Sequence, residues 1–272
     1  MENLNGIITQ IVQISPNMKV IRIAPDGWSI PDFKPGQFVM LGLPESNKKC
    51  CEATDDYIEK NENPESDKMI KRAYSIASSN ISKDFLEFYI TLIHSGELTP
   101  RIFNLEIGDR IWVGQRFVGI FTLDAVPSDK NLLLFGTGTG LAPYMSMLRT
   151  DALTRKGKVF AMHGASNSWD LGYFSELSLL QNVIPHFNYL PTVIRSENEY
   201  SPWSGETRTF QEIWESGTVK EMMNTELTPE NTHVFLCGNP HMVSNMLEIL
   251  GKEGFTQHTA KNKEGQIHVE EY

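Results

Sequence analysis

A chain of 272 residues, 40% hydrophobic and 21% charged, is long enough for two domains and is composed like an ordinary folded protein. With 24 Lys+Arg against 34 Asp+Glu it carries a net charge of -10, which argues against a nucleic-acid partner, since such binders present a basic footprint. Three cysteines (Cys50, Cys51, Cys237) are too few for a disulfide framework or for the four thiolates of a plant-type iron–sulfur cluster, and no apolar run approaches the ~18 residues of a membrane span.

The opening MENLNGIITQIVQI has no basic region followed by an apolar run, so no signal peptide is predicted and the expected location is the cytoplasm. Short β-rich segments follow at residues 6–14, 19–24, 37–43, 85–92 and 110–113. Turn formers such as Pro25-Asp26-Gly27, Lys34-Pro35-Gly36 and Ile107-Gly108-Asp109 separate them, which predicts an antiparallel barrel or sandwich up to about residue 127. Residues 45–70 interrupt this pattern with 8 acidic and 4 basic residues, so a long exposed loop is expected there. The vicinal Cys50-Cys51 pair has no companion ligands nearby and reads as two exposed thiols. Past Val126-Pro127-Ser128-Asp129 the rhythm changes. Apolar runs at 132–135, 159–162, 189–194 and 234–237 alternate with helical stretches at about 142–154, 173–181, 207–214 and 241–250, the pattern of a parallel sheet with crossover helices. Two domains are therefore expected, 1–127 and 128–272.

The strongest local signal is Gly136-Thr137-Gly138-Thr139-Gly140-Leu141-Ala142-Pro143, directly after the first apolar run of the second half. A strand, a glycine turn and a helix start together aim backbone N–H groups at a phosphate. The spacing departs from the dinucleotide fingerprint, and no acidic residue follows Met162-His163-Gly164 to hold a ribose hydroxyl. A tight turn that binds nothing remains open on this motif alone. The seven histidines show no H-E-x-x-H spacing, and His233 and His241, flanking the fourth apolar run, read as surface or capping residues.

Four motifs in register extend the reading to the whole chain: Arg72-Ala73-Tyr74-Ser75-Ile76-Ala77-Ser78-Ser79, the glycine turn, Cys237-Gly238-Asn239-Pro240, and a final Val269-Glu270-Glu271-Tyr272. Gly96-Glu97-Leu98-Thr99-Pro100-Arg101 adds a fifth. Together they resemble the ferredoxin–NADP reductase family everywhere except residues 45–70. The resemblance implies a β plus α/β fold: a six-stranded antiparallel FAD-binding barrel, then a Rossmann-like parallel-sheet domain for NADP(H). It implies that Arg72, Ala73, Tyr74, Ser75, Gly96, Leu98, Thr99 and Tyr272 bind FAD. Arg72 is a forked cation for the pyrophosphate and Tyr74 a flat face for the ring system. Thr99 is also expected to cap the next helix. Gly136, Thr137, Gly138, Thr139, Gly140, Cys237 and Gly238 are expected on NADP(H), and Ser75, Cys237, Glu270 and Tyr272 at the reacting atoms. Cys237 by pattern is also a buried strand residue.

Selection of NADP over NAD needs cations for the 2′-phosphate. The chain offers Arg195, Ser196 and Arg208, but only Gly164-Ala165-Ser166-Asn167 after the second strand. The implied activity is electron transfer between NADP(H) and a separate ferredoxin or flavodoxin through FAD, by a monomer, with Lys34, Lys48, Lys49, Lys71 and Lys83 as a candidate docking face. An NADH-dependent reductase serving an oxygenase or another redox partner, and a non-catalytic flavin redox sensor, are the competing readings.

Overall fold

The computed structural model describes residues 3–54 and 68–271. The acidic middle of the 45–70 segment and Tyr272 lie outside them. The first half contains strands β1 (Gly6–Ser15), β2 (Met18–Pro25), β3 (Phe38–Pro44), β4 (Met69–Ser75), β5 (Leu86–Thr91) and β6 (Arg110–Val113), with a short helix α1 (Thr99–Phe103). They form one antiparallel sheet in the order β4-β3-β6-β1-β2-β5, and its two end strands come into contact, rolling the sheet into a barrel. Ile8, Ile21, Val39, Leu41, Phe88 and Ile111 fill the interior.

Strand β4 was not among the predicted segments. Its sequence, MIKRAYS, alternates only weakly and none of its residues is fully buried, so it carries little of the two-residue pattern that marks a half-buried strand. It forms because β3 offers a complete antiparallel ladder from Phe38–Ser75 to Pro44–Met69. The 45–70 expectation also needs correcting at both described ends. Met69 and Ile70 belong to β4, and Cys50 is half-buried against the barrel core, its N–H donating to the Pro100 carbonyl (2.9 Å).

The second half holds β7 (Asn131–Thr137), α2 (Ala142–Leu148), β8 (Val159–Ala165), α3 (Phe174–Val183), β9 (Phe187–Val193), α4 (Phe210–Glu215), α5 (Thr218–Met223), β10 (Thr232–Gly238), α6 (Pro240–Lys252) and β11 (Ile267–Glu271). The five strands are all parallel, in the order β11-β10-β7-β8-β9. Every residue of β8 is buried, as expected of a strand covered on both faces. The predicted helix over 142–154 stops at Leu148 and continues only as a 3₁₀ turn at Ala152–Thr154. Helix α4 begins later than expected because Thr209 and Glu212 form a capping box. In α6, Asn239 is the N-cap, its side chain accepting from the His241 and Met242 N–H groups, while Met242, Val243, Met246 and Leu250 form the buried stripe.

The sheet order reverses at β7, between β10 and β8, which opens a crevice at the carboxyl ends of β7 and β10. The barrel closes over this face. One continuous apolar cluster joins Met18, Val20, Ala77 and Tyr89 of the first half to Leu141, Tyr144, Met147 and Tyr173 of the second. Within it Glu87, only 2% exposed on β5, accepts hydrogen bonds from Arg22 Nε (2.8 Å), Arg149 Nη1 (2.5 Å) and the Tyr173 hydroxyl (2.8 Å). Arg149 also donates to both oxygens of Glu176 and to the Ala77 carbonyl.

At the other end of β10 the structure corrects the reading of His233 as a surface or capping residue. It is half-buried, and its Nδ1 lies 3.2 Å from His268 Nε2. The His268 ring stacks 4.2 Å from Phe235 and 4.8 Å from His258. Burial, with the neighbouring imidazoles, pulls His268 down to about 3; burial and then Arg155 pull His233 down to about 4. Both sit below the unfolded value of 6.5, so the unfolded chain binds more protons between these values. Stability is therefore complete above pH 6.5 and falls with acidification through that window. Thermal melts are expected to show loss beginning near pH 6, before carboxylates titrate, and His268→Phe to flatten it. Identical pH profiles for the two proteins would remove the histidine stack as the cause.

Candidate active site

The site assembles where the end of β4 meets β10 and β11. Strand alternation puts Arg72 and Tyr74 on one side of β4 and Ala73 and Ser75 on the other. Ser75 closes the strand, and its hydroxyl donates to Glu270 Oε1 at 2.8 Å, although 195 positions separate them in the chain. Glu270 lies on β11 opposite Cys237 of β10, and Cys237 in turn lies opposite Gly136 of β7. Three predicted reaction residues, Ser75, Cys237 and Glu270, are thus gathered at one point on the seam between the two sheets.

Burial pushes the Glu270 carboxyl above its ordinary value, and the Ser75 hydroxyl opposes that shift without cancelling it. A carboxyl of this kind exchanges a proton nearer to neutrality than an exposed glutamate does. Burial also raises the Tyr74 phenol, with Arg72 opposing, so Tyr74 stays a neutral aromatic surface. Cys237 is fully buried.

The glycine turn lies beneath these groups. A Cβ on Gly140 would run into the Cys237 carbonyl, so only glycine lets the turn pack against the end of β10. Gly238 has φ +121°, and a Cβ there would strike the Thr137 side chain and carbonyl. Thr137 Oγ1 accepts from the Asn239 N–H (2.8 Å), tying the turn to the start of α6. Thr139 Oγ1 lies 3.5 Å from Thr91 Oγ1 of the barrel. Gly138 faces open space in the Cβ direction.

Sequence reasoning gave His163 no role, yet it supports the turn from below. Its ring is completely buried, and Nε2 donates to the Gly138 carbonyl at 3.1 Å, which assigns the proton to Nε2 and leaves Nδ1 without a partner. Burial pulls this imidazole down to about 4, so it is neutral at physiological pH. The only signal in the sequence was its position in an otherwise apolar run.

Other expected residues fall into three groups. Arg72 is exposed; its Nη1 donates to the Lys71 carbonyl (2.8 Å), and it forms no ion pair among the described residues. Gly96 and Leu98 precede α1, with Leu98 buried. Thr99 does not cap α1. It is the first residue of that helix, and its hydroxyl instead accepts from the Ile93 N–H (2.9 Å), closing the 93–99 loop on itself; the position before the helix is Leu98, which has no side chain able to cap.

At the carboxyl ends of β8 and β9, the Arg195 N–H donates to the Ser166 carbonyl (2.9 Å), with Ser196 next to it in a 3₁₀ turn. Arg208 is brought to the same edge but is already engaged by Glu206, a residue the sequence reading passed over. Of the five lysines proposed as a docking face, Lys34, Lys49 and Lys83 pair with Asp124, Glu97 and Asp32, and Lys71 stands 4.0 Å over the Trp112 ring. Three of the five charges are therefore locally balanced.

A barrel with a polar strand end pressed against the switch point of a glycine-turn α/β sheet defines a two-part, nucleotide-binding architecture. A family model for the oxidoreductase NAD-binding domain matches residues 134–247. The chain is 33% identical over 244 residues to a flavodoxin/ferredoxin–NADP reductase of Buchnera aphidicola subsp. Baizongia pistaciae, covering 89% of each chain. It is 30% identical over 212 residues to the enzyme of that name in Escherichia coli, covering 78% of this chain and 76% of the other. A crystal structure of a ferredoxin NADP+ reductase from Neisseria gonorrhoeae with bound FAD and NADP superposes with a TM-score of 0.81 at 25% identity, over 98% of this chain and 97% of that one. The chain belongs to the ferredoxin–NADP reductase family.

Proposed function

We propose that this chain is an FAD-dependent reductase that moves electrons between NADP(H) and a ferredoxin or flavodoxin, with its reacting residues at the seam of the barrel and the α/β sheet. The observation that carries the assignment of residues is the 2.8 Å bond from Ser75 to Glu270, beside Cys237, which joins the barrel to the switch point of the nucleotide fold. We read residues 1–127 and 128–272 as the flavin and nucleotide halves.

The residues present fit FAD. Arg72 keeps its fork free of carboxylates among the described residues, and Tyr74 holds a neutral aromatic face next to it on the same strand. The glycine turn leaves backbone open at Gly138 for the nucleotide's phosphates. FAD, when bound, supplies the conversion between two-electron hydride chemistry and one-electron transfer. Ser75 and Glu270 hold a proton at the Ser75 hydroxyl and the raised carboxyl. Cys237, fully buried beside them, fixes the wall against which the nicotinamide is positioned. Arg195, Ser196 and Arg208 are the candidates for the 2′-phosphate, and Tyr272 for covering the flavin.

Anaerobic titration of the purified protein tests this reading. NADPH is expected to bleach the flavin absorbance, and ferredoxin or flavodoxin to restore it. A colourless protein that FAD does not reconstitute would overturn it, whereas bleaching without reoxidation by either carrier would leave the flavin assignment and remove the partner.

A further inference from the structure

Residues 206–208 run alongside the carboxyl end of β9. The Val193 N–H donates to the Glu206 carbonyl (3.0 Å), and the buried Thr192 hydroxyl donates to the Arg208 carbonyl (2.6 Å). This loop borders the carboxyl end of β8, the neighbour of β9 and the strand end where a dinucleotide fold places the adenosine ribose; a cation there suits a 2′-phosphate and a carboxylate a 2′-hydroxyl.

Four donors converge on the Glu206 carboxylate. Oε1 accepts from the Thr207 N–H (2.9 Å), the Arg208 N–H (3.0 Å) and Arg208 Nε (2.9 Å), and Oε2 accepts from Arg208 Nη2 (2.5 Å). Arg208 Nη1 donates to Ser216 Oγ (2.9 Å) and Nη2 also to Thr218 Oγ1 (3.2 Å), so α4 and α5 hold the guanidinium in place. A fixed guanidinium fork flanked by two main-chain N–H groups is a donor set suited to a phosphate. Here a side chain of the same loop fills it.

We infer that Glu206 is a specificity-determining residue: its carboxylate occupies the anion site that Arg208 otherwise offers to the 2′-phosphate of NADP(H), and exchange between the two anions sets the preference for the phosphorylated dinucleotide. The inference rests on the reading of Arg208 as a 2′-phosphate contact. One fork cannot hold two anions at close range, so a 2′-phosphate enters only as the carboxylate leaves. A ligand without that phosphate requires no exchange. Glu206 thus lowers affinity for the phosphorylated ligand selectively.

Isothermal titration of the FAD-loaded protein with 2′,5′-ADP and 5′-ADP reads this directly, in the parent, Glu206→Gln, Glu206→Ser, Arg208→Met and the Glu206→Gln/Arg208→Met pair. Both Glu206 variants are expected to raise the affinity ratio of 2′,5′-ADP to 5′-ADP by about tenfold, the scale of one charge-assisted hydrogen bond, and Arg208→Met to abolish that gain. If the Glu206 variants keep the parent ratio while Arg208→Met lowers it, Glu206 is a bystander and the inference fails, with Arg208 still reading the phosphate. If no substitution moves the ratio, Arg208 is not the 2′-phosphate contact and both statements fall.

Discussion

Replacing Glu270 by glutamine is expected to slow flavin reduction by NADPH about 10²-fold while leaving the flavin bound, the scale of losing one positioned acid or base. Glutamine keeps the side chain's size and still accepts the Ser75 hydroxyl's hydrogen bond, but it carries no exchangeable carboxyl proton. The same substitution is expected to leave the fold at least as stable at pH 8. Burial raises the Glu270 carboxyl above the 4.5 of an unfolded glutamate, so the folded state favours the neutral form. That contribution is fully present below pH 4.5 and is lost as pH rises through the raised value, leaving the parent with a buried charge at alkaline pH that glutamine lacks. Stopped-flow reduction and thermal melts across pH measure the two halves. A variant with parental rates throughout would remove Glu270 from the chemistry.

The second large effect concerns the ion cluster that ties the barrel to the sheet. Arg149→Ala is expected to cost about 3–5 kcal/mol, because it leaves Glu87 buried with its strongest partner gone. Burial acts to raise the Glu87 carboxyl, but the Arg149 charge and the hydrogen bonds from Arg149, Arg22 and Tyr173 outweigh it and hold the value below 4.5. The stabilisation is therefore present above pH 4.5 and lost as pH falls through the lowered value. Urea unfolding at pH 7 gives the loss. The pair Glu87→Leu/Arg149→Met is expected to recover much of it, since an apolar pair of similar volume carries no desolvation cost. If the single variant unfolds like the parent, the cluster does not hold the halves together.

Much of this architecture is legible in the sequence. The apolar runs 159–162 of β8 and 234–237 of β10 are completely buried, and their spacing by helices is unambiguous. The glycine turn and the end of β10 are legible because glycine at Gly140 and Gly238 answers close contacts, with the Cys237 carbonyl and with Thr137, that a Cβ would break. Strand β4 is not, because a neighbour's ladder rather than its own apolar pattern makes it a strand. Thr99 misleads for a related reason: it is the first residue of α1 rather than the one before it, so its hydroxyl serves the Ile93 N–H of the 93–99 loop instead of a helix end. His163 and the His233–His268 stack escape notice since a histidine's burial depends on which strands flank it. Glu206 is hidden because ion pairing two residues apart needs the bend that β9 and α4 impose.

The continuous cluster between the two halves bears on how such a chain can be cut and joined. Residue 127 looks like a seam in the text, but the packing of Met18, Val20 and Tyr89 against Met147 and Tyr173 crosses it. A chimera exchanged at that point would confront Arg149 with a foreign β5 and strand it opposite whatever replaces Glu87. Grafts between relatives are therefore viable only when α2 and α3 travel with the barrel's β2 and β5 faces, so the exchangeable unit is the interface itself, carried as a set.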